Sequence, residues 1–185
     1  RNTSSWVVKY ISIITYGAIV VPILAEFNPV DMKHIIEHSD SKLLFTDKII
    51  WRNIKGMEFN ILKGVIDIES NEFISGDSEL LLAIDRLKRS FNQHYPNGFN
   101  AGNIEYSSVS DKDVMVISYT SGTTGMSKGV MLTVKNITSN VQFALDHKFH
   151  FHGSRVLGLL PLAHAYGCAF DMLTPLAAGS SITLL

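Results

Sequence analysis

Short apolar runs that end abruptly alternate along this chain with stretches of helical periodicity. That alternation limits the available folds more than any other feature. AIVVPIL (18–24), KLLF (42–45), KGVIDI (63–68), DVMVISY (113–119) and RVLGLLP (155–161) have the length and bulk of buried strands, and SITLL (181–185) reads as one more. Helices fill the intervals. One runs from a cap at Ser4 or Ser5 to about Tyr16, with Trp6, Tyr10, Ile13 and Ile14 on one face. DMKHIIEH (31–38) follows Asn28-Pro29, and Asp47 opens a further helical turn. A helix capped by Asp77 or Ser78 repeats Leu80, Ile84, Leu87 and Phe91 on one stripe. Two more are expected, from about Val134 to His147 and from Leu162 to about Ala178. The stretch 95–110, rich in Asn, Gly and Ser, reads as a loop. Strands alternating with helices predict an α/β fold, a mostly parallel sheet with flanking helices.

The 185 residues suit one domain or a large subdomain, and 46% apolar against 18% charged residues is a globular rather than a disordered balance. A formal net charge of −1, with no basic stripe, argues against a dedicated nucleic-acid binder. The single cysteine, Cys168, excludes an internal disulfide framework and suits a reducing compartment. The longest apolar stretch, Trp6 to Phe27, is interrupted by Lys9, Gly17, Pro22 and Glu26, short of the roughly 18–20 residues a membrane span requires. No signal-peptide pattern opens the chain. These features predict a soluble, cytoplasmic protein whose contact with a membrane, if any, is peripheral. Arg1 directly precedes an apolar segment and SITLL stops as a strand, so the sequence reads as a segment of a longer protein, cut at both ends.

YTSGTTGMSKGV (119–130) carries the chemistry. It follows an expected strand, where ligands bind in open α/β sheets. Gly122, Gly125 and Gly129 let the backbone approach an anion and turn its N–H groups toward it. Thr120, Ser121, Thr123 and Thr124 add hydroxyls, and Lys128 adds a mobile positive charge. The set suits a polyphosphate better than a carbohydrate or an apolar ligand. An idle surface loop would have similar composition, but its place between two apolar strand-like segments favours binding. The Walker spacing fails because Ser127 precedes Lys128 and Gly129 follows it. The GxGxxG orders of dinucleotide and kinase loops are absent as well.

The segment resembles the phosphate-binding signature of the adenylate-forming superfamily, which includes acyl-CoA synthetases, luciferases and peptide-synthetase adenylation domains. The family form is YTSGTTGxPKGV, followed by a short strand and often a histidine. Here Ser127 replaces the proline and Val134 stands at the histidine. LPLAHAYG (160–167) resembles the next family signature, and WVVKYISIITYGAIVVPIL (6–24) resembles the lead-in of acyl-CoA synthetases. The resemblance covers the whole chain and implies residues 1–185 as a partial N-terminal AMP-binding domain, without the C-terminal domain. It implies that a carboxylate attacks ATP to give acyl-AMP and pyrophosphate, after which coenzyme A takes the acyl group. Thr120, Ser121, Gly122, Thr123, Thr124, Gly125 and Lys128 would bind the ATP phosphates, with Thr120 also contacting Mg²⁺. His164 and Tyr166 would shape the acyl side. LPLAH and GVMLT (129–133) look most like long-chain fatty acyl-CoA synthetases; an aryl or amino acid is the alternative substrate. No catalytic residue is assigned here, since the adenine- and ribose-binding motifs and the adenylating lysine of the family lie downstream. The segment alone is therefore expected to be inactive. A rival from another class is a non-catalytic nucleotide-binding or assembly module.

Other patterns are weaker. HIIEH (34–38) matches an inverted zinc-protease motif, with two histidines on one helix face and Glu37 as base, but a solvated helix face is the better reading. His147, His150 and His152 suit a helix C-terminus. Cys168 reads as core, and no Ser lies in a GxSxG context.

Overall fold

A computed structural model describes residues 2–120 and 127–185. The first helix, α1 (Ser4–Tyr16), is capped one residue earlier than expected, by Thr3, whose hydroxyl accepts from the Trp6 N–H at 3.1 Å. It stops at Gly17 in the left-handed region (φ 87°). The next segment, 18–24, is not the strand its composition suggests. Among the described residues only Val20 of this run pairs, in a parallel bridge to Val116, donating to the Met115 carbonyl at 3.0 Å and accepting from the Ile117 N–H at 2.9 Å. Pro22, without an N–H, cannot extend that ladder.

Helix α2 (Pro29–His38) starts where Asn28 accepts from the Asp31 N–H and Pro29 fills the first turn. Then come β1 (Leu43–Thr46), α3 (Lys48–Ile54, capped by Asp47), β2 (Gly64–Asp67), β3 (Phe73–Gly76) and α4 (Ser78–His94, capped by Asp77). The second half holds β4 (Val114–Thr120), β5 (Lys128–Thr133), α5 (Val134–Asp146), β6 (Arg155–Gly158), a π-helical segment (Gly167–Leu173), α6 (Thr174–Ala178) and β7 (Ser181–Leu184).

Among the described residues the strands form three sheets, β1–β2–β3, β4–β5 and β6–β7. Pairing between strands expected from sequence is parallel: β1 with β2 and β6 with β7. Antiparallel pairing enters with β3 on β2 and β5 on β4; β3 is not expected from sequence, and β5 begins inside the segment that reads as loop. The architecture remains α/β.

Two apolar clusters hold the layers together. One joins Tyr10, Val20, Val116, Leu162, Cys168 and Met172; the other joins Met32, Ile36 and Ile54. The stripe on α4 is real but mostly uncovered: no α4 residue is buried, and Leu87 is 68% exposed. Leu80 packs over Gly64, while the rings of Phe91, Tyr95 and Phe99 meet at tilted and edge-on angles with centroids 5.0–5.5 Å apart.

The expected helix from Leu162 to Ala178 starts after a turn and is helical from 165 to 178, with a π-helical segment running directly into α6. Pro175 cannot donate to the carbonyl four residues back, and its ring crowds that position. The wider π turn relieves the crowding. The Thr174 N–H bonds the Ala169 carbonyl five residues back, and its hydroxyl joins the same oxygen at 2.8 Å.

Candidate functional site

Strands β4 and β5 pair antiparallel so that Tyr119 faces Gly129 and Thr120 faces Lys128. Directly opposed residues share a sheet face and successive ones alternate. Thr120 and Lys128 therefore stand together on one face at the loop end of the hairpin, both exposed, while Tyr119 is buried on the other. A hydroxyl and an ammonium presented side by side suit an anion with several oxygens. Ser121, Gly122, Thr123, Thr124 and Gly125, the rest of the expected phosphate set, lie outside the described residues.

Gly129 was expected to help the backbone approach an anion. Its place is instead inside the ladder, beneath an aromatic ring: a methyl added there would meet Ile117 Cγ2 at 2.9 Å and Tyr119 Cζ at 3.1 Å. The glycine makes room for Tyr119, whose hydroxyl lies 2.7 Å from His38 Nδ1. Burial, with Asp40 adding to it, raises the Tyr119 pKa above the ordinary phenol value, so the hydroxyl stays protonated. On the other side of the hairpin end, His34 Nε2–H donates to the Ser127 carbonyl at 3.2 Å, and Ser127 itself is buried.

The face of α2 read as solvated stays partly exposed, His38 most of all, yet both of its histidines bond to the hairpin. His34 and His38 use ring nitrogens for these bonds, and Glu37 accepts from the Asn60 backbone N–H at 2.8 Å and from its side-chain amide at 3.2 Å. Among the described residues no group of three or more His, Cys, Asp or Glu is placed to hold a metal ion. His147 bonds the Phe143 carbonyl at the end of α5, in keeping with its helix-end reading.

His164 and Tyr166 lie together after β6. The Tyr166 N–H donates to His164 Nδ1 at 3.3 Å, which leaves Nε2 carrying the proton of the neutral ring. Both side chains are exposed, and the Tyr166 ring packs on Phe170 with centroids 4.7 Å apart. The turn is fixed from outside. Asp171 accepts from the Leu159 and Leu160 N–H groups at 3.2 and 3.1 Å. Asn2 donates to the Leu160 carbonyl and accepts from the Leu162 N–H, both at 2.9 Å. The structure thus brings Thr120 to Lys128, and His164 to Tyr166. The two pairs are linked through the core shared by Val116, Leu162, Cys168 and Met172. Burial pushes the Cys168 thiol up to about 11, which suits a core residue and not a nucleophile.

From sequence, His34 and His38 read only as a zinc pattern or a solvated face, and Asn2 and Asp171 pass unmarked. Each acts across a long stretch of chain or on a backbone group, and no local pattern marks such contacts.

A family model described as AMP-binding enzyme matches residues 1–185. Among curated proteins, 4-coumarate–CoA ligase 1 of Arabidopsis thaliana is 27% identical over 188 residues, covering 100% of this chain and 32% of that protein. The mitochondrial malonate–CoA ligase of Xenopus laevis is 26% identical over 186 residues, covering 100% of this chain and 29% of that protein. Among solved structures, an anthranilate CoA ligase in complex with anthranoyl-AMP superimposes with a TM-score of 0.78 at 20% identity, covering 100% of this chain and 33% of the other. The chain spans about a third of the length of these relatives.

Proposed function

Because this chain belongs to the AMP-binding enzyme family, we propose that it is the front part of the N-terminal domain of an ATP-dependent acid–CoA ligase. In that reaction a carboxylate oxygen attacks the α-phosphorus of ATP. The acyl–phosphate bond forms, the bond to the β-phosphate breaks, and pyrophosphate leaves. The thiol of coenzyme A then attacks the acyl carbonyl and AMP departs.

The observation that carries the proposal is the pairing of Thr120 with Lys128, exposed on one face at the end of the hairpin. Charge grows on pyrophosphate as it leaves, and a preorganised ammonium and hydroxyl stabilise it most where it forms. Mg²⁺, when bound, would neutralise phosphate charge. An exposed threonine hydroxyl fits a cation that takes one or two protein oxygens and completes its shell with phosphates and water. On the acyl side, His164 and Tyr166 sit on a turn held by Asn2 and Asp171, so a pocket wall built from them would be rigid.

Two finer readings belong with this one. The acid is a long-chain fatty acid, supported by the likeness of LPLAH and GVMLT to fatty acyl-CoA synthetases. Residues 1–185 alone do not catalyse the reaction, because the chain supplies only the phosphate segment and one side of the acyl site. No helix among the described residues is long and apolar enough to cross a membrane.

The test is carboxylate-dependent exchange of labelled pyrophosphate into ATP by the full-length parent protein, across fatty acids of increasing length, 4-coumarate and malonate. Exchange that rises with chain length supports the fatty acid reading, and a preference for 4-coumarate or malonate replaces it. ATP binding without exchange for any acid would sink the ligase reading in favour of a nucleotide-binding module.

A further inference from the structure

Helix α2 is gripped on two sides. Met32 and Ile36 enter one apolar cluster, Ile35 is fully buried, and Asn60 holds Glu37. Its two histidines, His34 and His38, are one helical turn apart, with ring centroids 5.2 Å from each other. Each reaches a different strand end of the β4–β5 hairpin. His34 donates to the Ser127 carbonyl across 93 residues of sequence, and His38 meets the Tyr119 hydroxyl across 81. Their contacts fall on the two residues that directly precede Lys128 and Thr120. The His38 and Tyr119 rings also meet edge to face, at 5.8 Å and 86°.

Resting on the ligase reading above, we infer that His34 and His38 are paired positioning residues for the phosphate-handling step: by holding Ser127 and Tyr119, they set the spacing from which Lys128 and Thr120 are presented. Neither histidine touches substrate in this account. Anchoring both strand ends to one packed helix keeps the ammonium and the hydroxyl in register with each other. The gain is geometric, and small misplacements remote from the reacting atoms lower turnover steeply.

The contacts differ in what they demand. The Ser127 carbonyl accepts only, so position 34 must donate from the place of Nε2, which glutamine reproduces. The Tyr119 hydroxyl can donate or accept, so position 38 requires a polar atom near Nδ1, which asparagine supplies. Tyr119→Phe removes the hydroxyl while leaving the ring over Gly129, and so tests the second contact without disturbing the packing.

The experiment measures pyrophosphate exchange by the full-length parent protein, with kcat and the KM values for ATP and acid, and follows thermal melting alongside. His34→Leu, His38→Leu and Tyr119→Phe are expected to lower kcat/KM for ATP by about tenfold or more, with KM for the acid unchanged. His34→Gln and His38→Asn should recover most of the loss. His38→Leu combined with Tyr119→Phe should lose no more than either alone, since both break one contact. Wild-type exchange with variants that match it, or with losses shared equally by ATP and acid parameters, overturns the inference. If a leucine variant melts before assay, Tyr119→Phe and the Gln and Asn variants still decide. Absence of exchange in the wild type overturns the ligase reading, and this inference with it.

Discussion

The β4–β5 hairpin and the 159–174 segment rest on one apolar core, yet different contacts restrain them. The hairpin is held by a ladder, continuous from Val116 to Thr120, and its loop end is steadied by two histidine side chains from a helix far away in sequence. Among the described residues the 159–174 segment has no strand partner beyond Gly158 and is held by side chains, Asn2 and Asp171, that bond its backbone directly, next to a π-helical turn. The first arrangement leaves side chains room to adjust. The second is hemmed in by backbone, where nothing can rotate aside.

Glycine substitutions expose that difference most strongly. A methyl on Gly167 would stand 2.5 Å from the Pro161 carbonyl oxygen and 3.1 Å from its carbon. Gly167→Ala is expected to cost about 3 kcal/mol in urea unfolding, the upper part of the usual range for overpacking. Asp171→Ala, which strips the acceptor from two N–H groups, should cost about 1–2 kcal/mol. Gly129→Ala should cost about 1 kcal/mol, because the atoms it meets are side-chain ends that can shift. Equal costs for the two glycines would erase the contrast between the regions. The shared core gives the smallest effect: with its pKa near 11, the Cys168 thiol is about one part in a thousand thiolate at pH 8. Labelling by a thiol reagent should be slow in the native protein, quicken as pH rises toward that value, and be fast in urea. Rapid native labelling at pH 8 would mean that the core opens between the two regions.

Much of the scaffold was legible in the sequence because its signals are local. Asn28, Asp47 and Asp77 cap helices where their side chains and the following apolar spacing place them. What stayed hidden depends on partners distant in sequence. β5 begins with a lysine and a glycine and reads as loop until Tyr119 is seen to cover Gly129. The run 18–24 has strand composition, yet it makes one bridge beside a proline. The stripe on α4 marks a helix correctly but does not say that Leu87 and Phe91 remain exposed. HIIEH shows most plainly why the candidate site was read only in part. Local spacing offers a zinc motif or a solvated face, and only the fold brings its two histidines to Ser127 and Tyr119.

The most direct test compares Lys128→Ala with His164→Ala in carboxylate-dependent pyrophosphate exchange by the full-length parent protein. Lys128→Ala is expected to lower exchange about 10²-fold or more through its ATP parameters. His164→Ala is expected to act on the KM for the acid and leave that for ATP unchanged. Full exchange by the Lys128→Ala variant would contradict the assignment of the hairpin end to phosphate.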